Sequence, residues 1–279
     1  MWLLFDKHFE NNKHVLTEKG EISKTEIDDL FGLFSFCAPY TTVKMMESIV
    51  LRNGLAFQQH MSPSNLLKYR QNDDYDAAIE TANQLVFNYA ASIKSFIDIT
   101  EATLKESRSE DQLELYRSYQ TSFYDNQVEY RFWMRLRNFI IHRGFPYTRV
   151  HDSAKAGVQV LCEKSHLLAF SGWNTVKPDL LQMDRYVDMH DMVKSMNTCI
   201  QALRLAFIGL YANDILNAIS GYGAFCRKHG IKEPMFAEVD SIQSFSPEKA
   251  AFTPVPLDEL RQAFEDIRRV PFVEIQITD

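Results

Sequence analysis

Apolar residues recur at three- and four-residue steps through most of this chain, the period of an amphipathic helix. The clearest run lies between 75 and 107, where Val86, Tyr89, Ile93, Phe96 and Ile97 form one stripe. A second long helix is predicted from about Glu110 to His142, with Phe132, Leu136, Phe139 and Ile140 on its apolar side. Gly144 and Pro146 then stop it. Joined near residue 108, the two read as a long antiparallel hairpin of helices.

Shorter patterns flank this pair. "SKTEIDDLFGLFSF" reads as a helix capped by Ser23 or Thr25, and "TTVKMMESIVLRNGLAFQQH" as a helix interrupted at Gly54. "SPSNLLKYRQ" opens with a serine and a proline suited to a helix start. The first twenty residues read as irregular, with one short strand. Val158, Val160, Leu167, Leu168 and Phe170 flank the polar "EKSH", which predicts a β-hairpin across 157–170. A strongly apolar helix follows from about Asp188 to Ile219, frays at "SGYGAF" and ends near "KHGIKEP". From Phe236 the texture changes. "SIQSFSPEKAAFTPVPLDEL" carries three prolines and reads as an extended linker, "LDELRQAFEDIRR" as a short helix and "PFVEIQITD" as a terminal strand.

The expected architecture is therefore mostly α. An N-terminal helical extension covers 1–72, an antiparallel helical bundle with an inserted β-hairpin covers 73–234, and an extended tail covers 235–279. With only 10 glycines and 9 prolines in 279 residues, a loop-rich all-β fold is disfavoured. The start "MWLLFDKHFENNKH" lacks a basic leader before its short apolar run, so no signal peptide is expected. No apolar stretch has the length of a membrane span. Four scattered cysteines, none in a CxxC pair, suggest neither a disulfide framework nor a zinc cage and fit a reducing cytoplasm.

A formal net charge of −7 argues against a generally basic nucleic-acid binder, but the average hides a local reversal. Between Tyr130 and His151 there is no acid, while Arg131, Arg135, Arg137, Arg143 and Arg149 all occur. Such a strip fits a confined anion site; it equally fits a solvated arginine face balanced by neighbouring acids. No phosphate-binding GxxxxGK[ST] loop, HExxH or GxSxG is present, and the two glycines of "SGYGAFC" follow a helix rather than a strand. No metal or cofactor is expected.

Inside the basic strip stands "RNFIIH", residues 137–142. An arginine followed by a histidine at this spacing is weak evidence alone, because Arg135 with His142 and Arg185 with His190 also match. Context separates them. "RYVDMH" contains Asp188 and reads as a capped, solvated helix start. At about 100° per residue, Arg131, Arg135, Asn138 and His142 share one helix face, and Arg137 lies at the border of the apolar face. His142 stands at the helix C-terminus, where the helix dipole favours a positive charge.

"FWMRLRNFIIHRGFP" resembles the signature helix of the HEPN superfamily, and "NQLVFNYAASIKSFID" resembles the partner helix of HEPN-like bundles. The likeness covers roughly residues 75–225. It implies a bundle that forms a homodimer and brings two Arg/His motifs to one cleft. It also implies a metal-independent endoribonuclease, a toxin or anti-phage defence effector acting on RNA, or else an inactive module that binds RNA, a nucleotide or a protein. By that resemblance Arg137, Asn138 and His142 are the catalytic set, and Arg131, Arg135 and Arg143 bind substrate. On the preceding helix, Asn88, Ser92, Ser95 and Asp98 line one flank, with Asp98 expected to hold Arg137. Those small polar residues equally suit close helix packing, and Asp98 could simply be solvated. The C-terminal tail is the expected contact for an antitoxin or sensor partner.

Overall fold

The computed structural model describes residues 1–240, 250–271 and 273, and the chain is mostly helical. In chain order the elements are β1 (Trp2–Glu10), β2 (Lys13–Ile22), α1 (Lys24–Gly32), α2 (Cys37–Met61), α3 (Pro63–Asn72), α4 (Tyr75–Ser107), α5 (Glu110–Asn126) and α6 (Val128–His142). There follow β3 (Arg149–Ser153), β4 (Gly157–Leu161), α7 (Lys164–Leu168), a 3-10 turn (Ser171–Val176), α8 (Lys177–Gln182), α9 (Met189–Gly209), α10 (Ala212–His229), β5 (Pro234–Glu238), β6 (Phe252–Pro254) and α11 (Leu257–Ile267). They divide into two compact units, one of Met1–Thr41 with the chain from Ile208 onward, the other of Thr42–Phe207.

The first unit is built on an antiparallel sheet in the order β2-β1-β5-β6. The N-terminal segment thus opens with two strands before its helices α1 to α3, and its first twenty residues are not irregular. Asn11 and Asn12 both take positive φ, 48° and 62°. That is the backbone of a two-residue hairpin turn whose twist matches the flanking strands, and asparagine tolerates it better than most side chains. Consecutive residues of β1 serve opposite faces. Leu3 and Phe5 are buried with Ala237 on one side, where Phe252 meets Phe5 edge-on at 5.2 Å. On the other side Leu4 pairs with Phe236, whose ring packs against Phe31 of α1 and Phe225 of α10. An unbroken apolar run such as "WLLF" is what a strand covered on both faces requires.

The tail also departs from the reading as an extended linker. Pro234–Glu238 is an interior strand, Phe252–Pro254 an edge strand, and residues 241–249 lie outside the described residues. The short helix is found as α11, where Asp266 accepts a hydrogen bond from the buried Tyr40 hydroxyl at 2.8 Å. The predicted terminal strand falls almost wholly outside the described residues. α10 does not fray at its glycines but runs to His229 and ends on Gly230 at φ 62°, a left-handed helix cap that glycine adopts without strain.

The second unit is a helical assembly around α4. Asp74 caps α4 by accepting from the Ala77 amide, and its stripe from Ala78 to Leu104 is buried. α2 is continuous through Gly54. A Cβ there would stand 2.9 Å from both Tyr89 and Val193, so the glycine admits α4 and α9 at close range rather than breaking the helix.

The expected single helix over 110–142 is two. α5 begins with a full capping box at Ser109 and Gln112, and Gln127 leaves helical geometry at φ −120°, ψ 111° before α6 resumes. α6 packs on α4 and buries Tyr130, Phe132, Trp133, Leu136, Phe139 and Ile140. The β-hairpin exists but lies earlier than expected, at β3 and β4, with its turn closed by Gly157 at φ 70°. "KSHLL" is a helical turn, α7, not part of a hairpin. The apolar helix starting near Asp188 is α9 and ends at Gly209, one break before α10. No single helix among the described residues is long and apolar enough to cross a membrane.

Candidate functional site

The last two turns of α6 carry the residues singled out above. Burying Leu136, Phe139 and Ile140 fixes the rotation of the helix, and that rotation decides which polar groups face outward. Arg135, Arg137 and Asn138 are half-buried, whereas Ile141, His142 and Arg143 are exposed. Arg143 leaves helical geometry and Gly144 takes φ 131°, turning the chain away so that His142 ends the helix. On regular helix geometry Arg137 and His142 point about 140° apart, whereas Asn138 lies about 40° from His142.

The arginines of the basic strip divide sharply by partner. Arg131, expected to bind substrate, is paired within the chain. Its guanidinium makes a two-pronged pair with Asp179 of α8, at 2.6 and 2.8 Å, and also donates to the carbonyls of Tyr124 and Asp125. That fork satisfies the last carbonyls of α5 at the α5–α6 break and ties the break to α8. Arg135 donates to the Tyr124 hydroxyl at 3.2 Å, and Tyr124 in turn shares a hydrogen bond with Thr175. Arg149 lies 3.4 Å from Glu163. By contrast, Arg137, Asn138, His142 and Arg143 make no side-chain hydrogen bond or ion pair among the described residues.

The supporting set on α4 is not brought together. Asn88, Ser95 and Asp98 are exposed, while Ser92 is buried and donates to the carbonyl of Tyr89 at 2.8 Å, a local bond within its own helix. Asp98 pairs with Lys94 one turn earlier on α4 and is more than half exposed, 58%. It therefore does not hold Arg137: an i,i+4 lysine satisfies it locally, and it has no need of a distant arginine.

Sequence reasoning missed a second imidazole at this end of the unit. His166 of α7 packs edge-on against Phe139 at 5.4 Å, and its Nε2 lies 2.9 Å from the carbonyl oxygen of Phe145. It holds the loop that follows His142. Its signal was present in "EKSHLL", which reads as one helical turn once the hairpin is placed before it.

No family model, no curated protein and no solved structure matches this chain. The geometry of its own residues therefore has to carry the functional reading. Around His142 that geometry is an exposed helix end with two exposed apolar side chains, Ile141 at 47% and Phe145 at 52%, set among uncommitted basic and amide groups. Elsewhere in the second unit, Asp188, His190 and Asp191 bring ligand atoms within 4.8 Å of one another at the start of α9. There Asp188 accepts from the His190 amide at 2.9 Å, as the capped helix start in "RYVDMH" required.

Proposed function

We propose that the chain is a HEPN-like, metal-independent endoribonuclease, with Arg137, Asn138 and His142 as its catalytic groups. The observation that carries this reading is selective commitment. Within one basic strip, Arg131, Arg135 and Arg149 are tied to protein partners, and the motif residues together with Arg143 are left uncommitted. In the proposed chemistry the 2′-hydroxyl of RNA gives its proton to His142 and attacks the adjacent phosphorus, and the 5′-oxygen leaves. Arg137 donates to the phosphoryl oxygens as charge builds on them, and Asn138 orients the phosphate. A toxin or defence role and an antitoxin or sensor partner follow from the same family likeness, and a cytoplasmic setting from the four scattered cysteines.

The angular offset between Arg137 and His142 bears on assembly. Side chains about 140° apart on one helix do not converge readily on a single phosphate. Two copies related by a two-fold axis would place one chain's arginine beside the other's histidine, with Ile141 and Phe145 in the contact. A homodimer through the end of α6 is therefore part of the proposal. Light scattering at micromolar concentration should give twice the chain mass of 32.4 kDa, and Ile141→Lys should shift it to monomer with loss of cleavage. A fully active monomer would refute this arrangement.

The chemistry is tested directly with purified protein and RNA in EDTA. Cleavage should persist and leave 2′,3′-cyclic phosphate ends. Strict dependence on a divalent metal would exclude the mechanism.

A further inference from the structure

A cavity of about 410 Å³ opens elsewhere in the second unit, between β4, the end of α2 and the start of α9, and no residue of the Arg/His motif lines it. Its volume lies within the roughly 300–1,000 Å³ usual for small-molecule sites. Leu66, Val158, Val160 and Val187 form an apolar part of its wall, Ser62, Gln159, Asp188 and His190 a polar part, and its floor includes Tyr147.

Tyr147 is built into that floor with care. Asn83, itself only 7% exposed, donates to the Tyr147 carbonyl at 2.8 Å and accepts from the Tyr147 amide at 3.0 Å, so the backbone is held at both ends. The ring rests against Phe57. The residue is 2% exposed, yet its hydroxyl has no hydrogen-bond partner among the described residues. A buried hydroxyl is seldom left in that condition, because desolvating it without a partner is costly. Burial first, then Cys162 and Asp188, holds its pKa well above the ordinary tyrosine value, so the group remains a donor.

The mouth carries one carboxylate, Asp188. Among the described residues no lysine or arginine lines the cavity. Of the nearby cations, Arg70 pairs with Asp152, while Arg149 and Arg185 share Glu163 and Arg185 lies over the Tyr186 ring. Asp188 uses one carboxylate oxygen to cap α9 and presents its charge at the rim beside His190 and the exposed ring of Tyr186. A cation enters such a mouth favourably, its apolar body meets the valine walls, and a hydrogen-bond acceptor at its far end meets the phenol.

We propose that this cavity is a second ligand site, for a small organic ammonium ion with an apolar body and a terminal hydroxyl, held by Asp188 at the mouth and Tyr147 at the floor. The proposal stands independently of the ribonuclease reading, since its residues and its test involve neither RNA nor the α6 motif.

Calorimetric titration of the full chain with tyramine supplies the test. Phenethylamine lacks the hydroxyl, 3-(4-hydroxyphenyl)propionate reverses the charge, and zinc chloride probes the carboxylates alone. Tyramine should bind saturably and the propionate should not. Asp188→Asn keeps an acceptor for the helix cap but removes the charge, and should weaken tyramine at least tenfold. Tyr147→Phe should abolish the preference for tyramine over phenethylamine while leaving the thermal midpoint unchanged. Equal binding of the anion, an unaltered affinity in Asp188→Asn, or zinc binding with no response to tyramine would each overturn the proposal.

Discussion

Replacing Trp133 with alanine should lower the stability of the chain by roughly 3–5 kcal/mol, the usual cost of emptying a large aromatic site in a core. Trp133 is fully buried on α6. Its ring meets Tyr89 of α4 edge-on at 4.6 Å, Phe57 of α2 at 6.3 Å and Phe132 at 6.0 Å, so one side chain joins three helices. Alanine removes all three contacts, and the fixed backbones of α2, α4 and α6 can close only part of the space. Trp133→Phe should cost well under half as much, because most of the ring volume remains and a buried indole N–H without a partner among the described residues is removed. Urea denaturation of the three proteins measures the difference. A loss below about 1 kcal/mol for alanine would show that α6 is not anchored at this point.

Alanine at His142 or at Arg137 should each reduce RNA cleavage by about 10²-fold or more, with the denaturation midpoint of wild type retained. Neither side chain makes a hydrogen bond or ion pair among the described residues, so neither removal breaks a contact that holds the fold. Two variants separate this from general damage. Arg131→Ala should lower stability, because it strands the carboxylate of Asp179 and frees the carbonyls of Tyr124 and Asp125. Asp98→Asn should change neither property, since Asp98 answers only to Lys94. Cleavage within threefold of wild type in both His142→Ala and Arg137→Ala would remove the motif from the chemistry.

What could be read from the sequence follows the range of the interactions that decide each element. α4 was legible because its stripe is local: Val86, Tyr89, Ile93 and Phe96 repeat at helical steps. The end of α6 was legible for the same reason, with Gly144 and Pro146 marking its stop. The break at Gln127 was not, because apolar periodicity continues on both sides and the stabilising fork comes from Asp179, 48 positions away. Gly54 looked like an interruption, since the helices that press against it are invisible in its own neighbourhood. The β-hairpin was misplaced because Val158 and Val160 suit either strand of a pair, and residues 154–156, followed by Gly157 at positive φ, rather than "EKSH" supply the turn.

The candidate site divides along the same line. Residue identities on α6 could be listed from the sequence, but which arginines were already engaged could not. Arg131 and Arg137 look alike in the chain, and only the approach of α8 distinguishes a structural clamp from a free guanidinium. Asp98 was assigned to Arg137 by assumed packing, when a lysine four residues earlier was the simpler partner.

The place of β1 in its sheet has a consequence for biosynthesis. Its outer edge pairs at once with β2, but its inner edge pairs with β5, and the Met1 carbonyl receives the amide of Val239, 238 positions later. At roughly 5–20 residues per second the nascent chain waits on the order of 10–50 s between making one partner and the other. Through that interval "WLLF" carries an open hydrogen-bonding edge and two uncovered apolar faces. Those are the features that recruit chaperones or neighbouring chains. A strand translated long after β1 is thus the one that silences it.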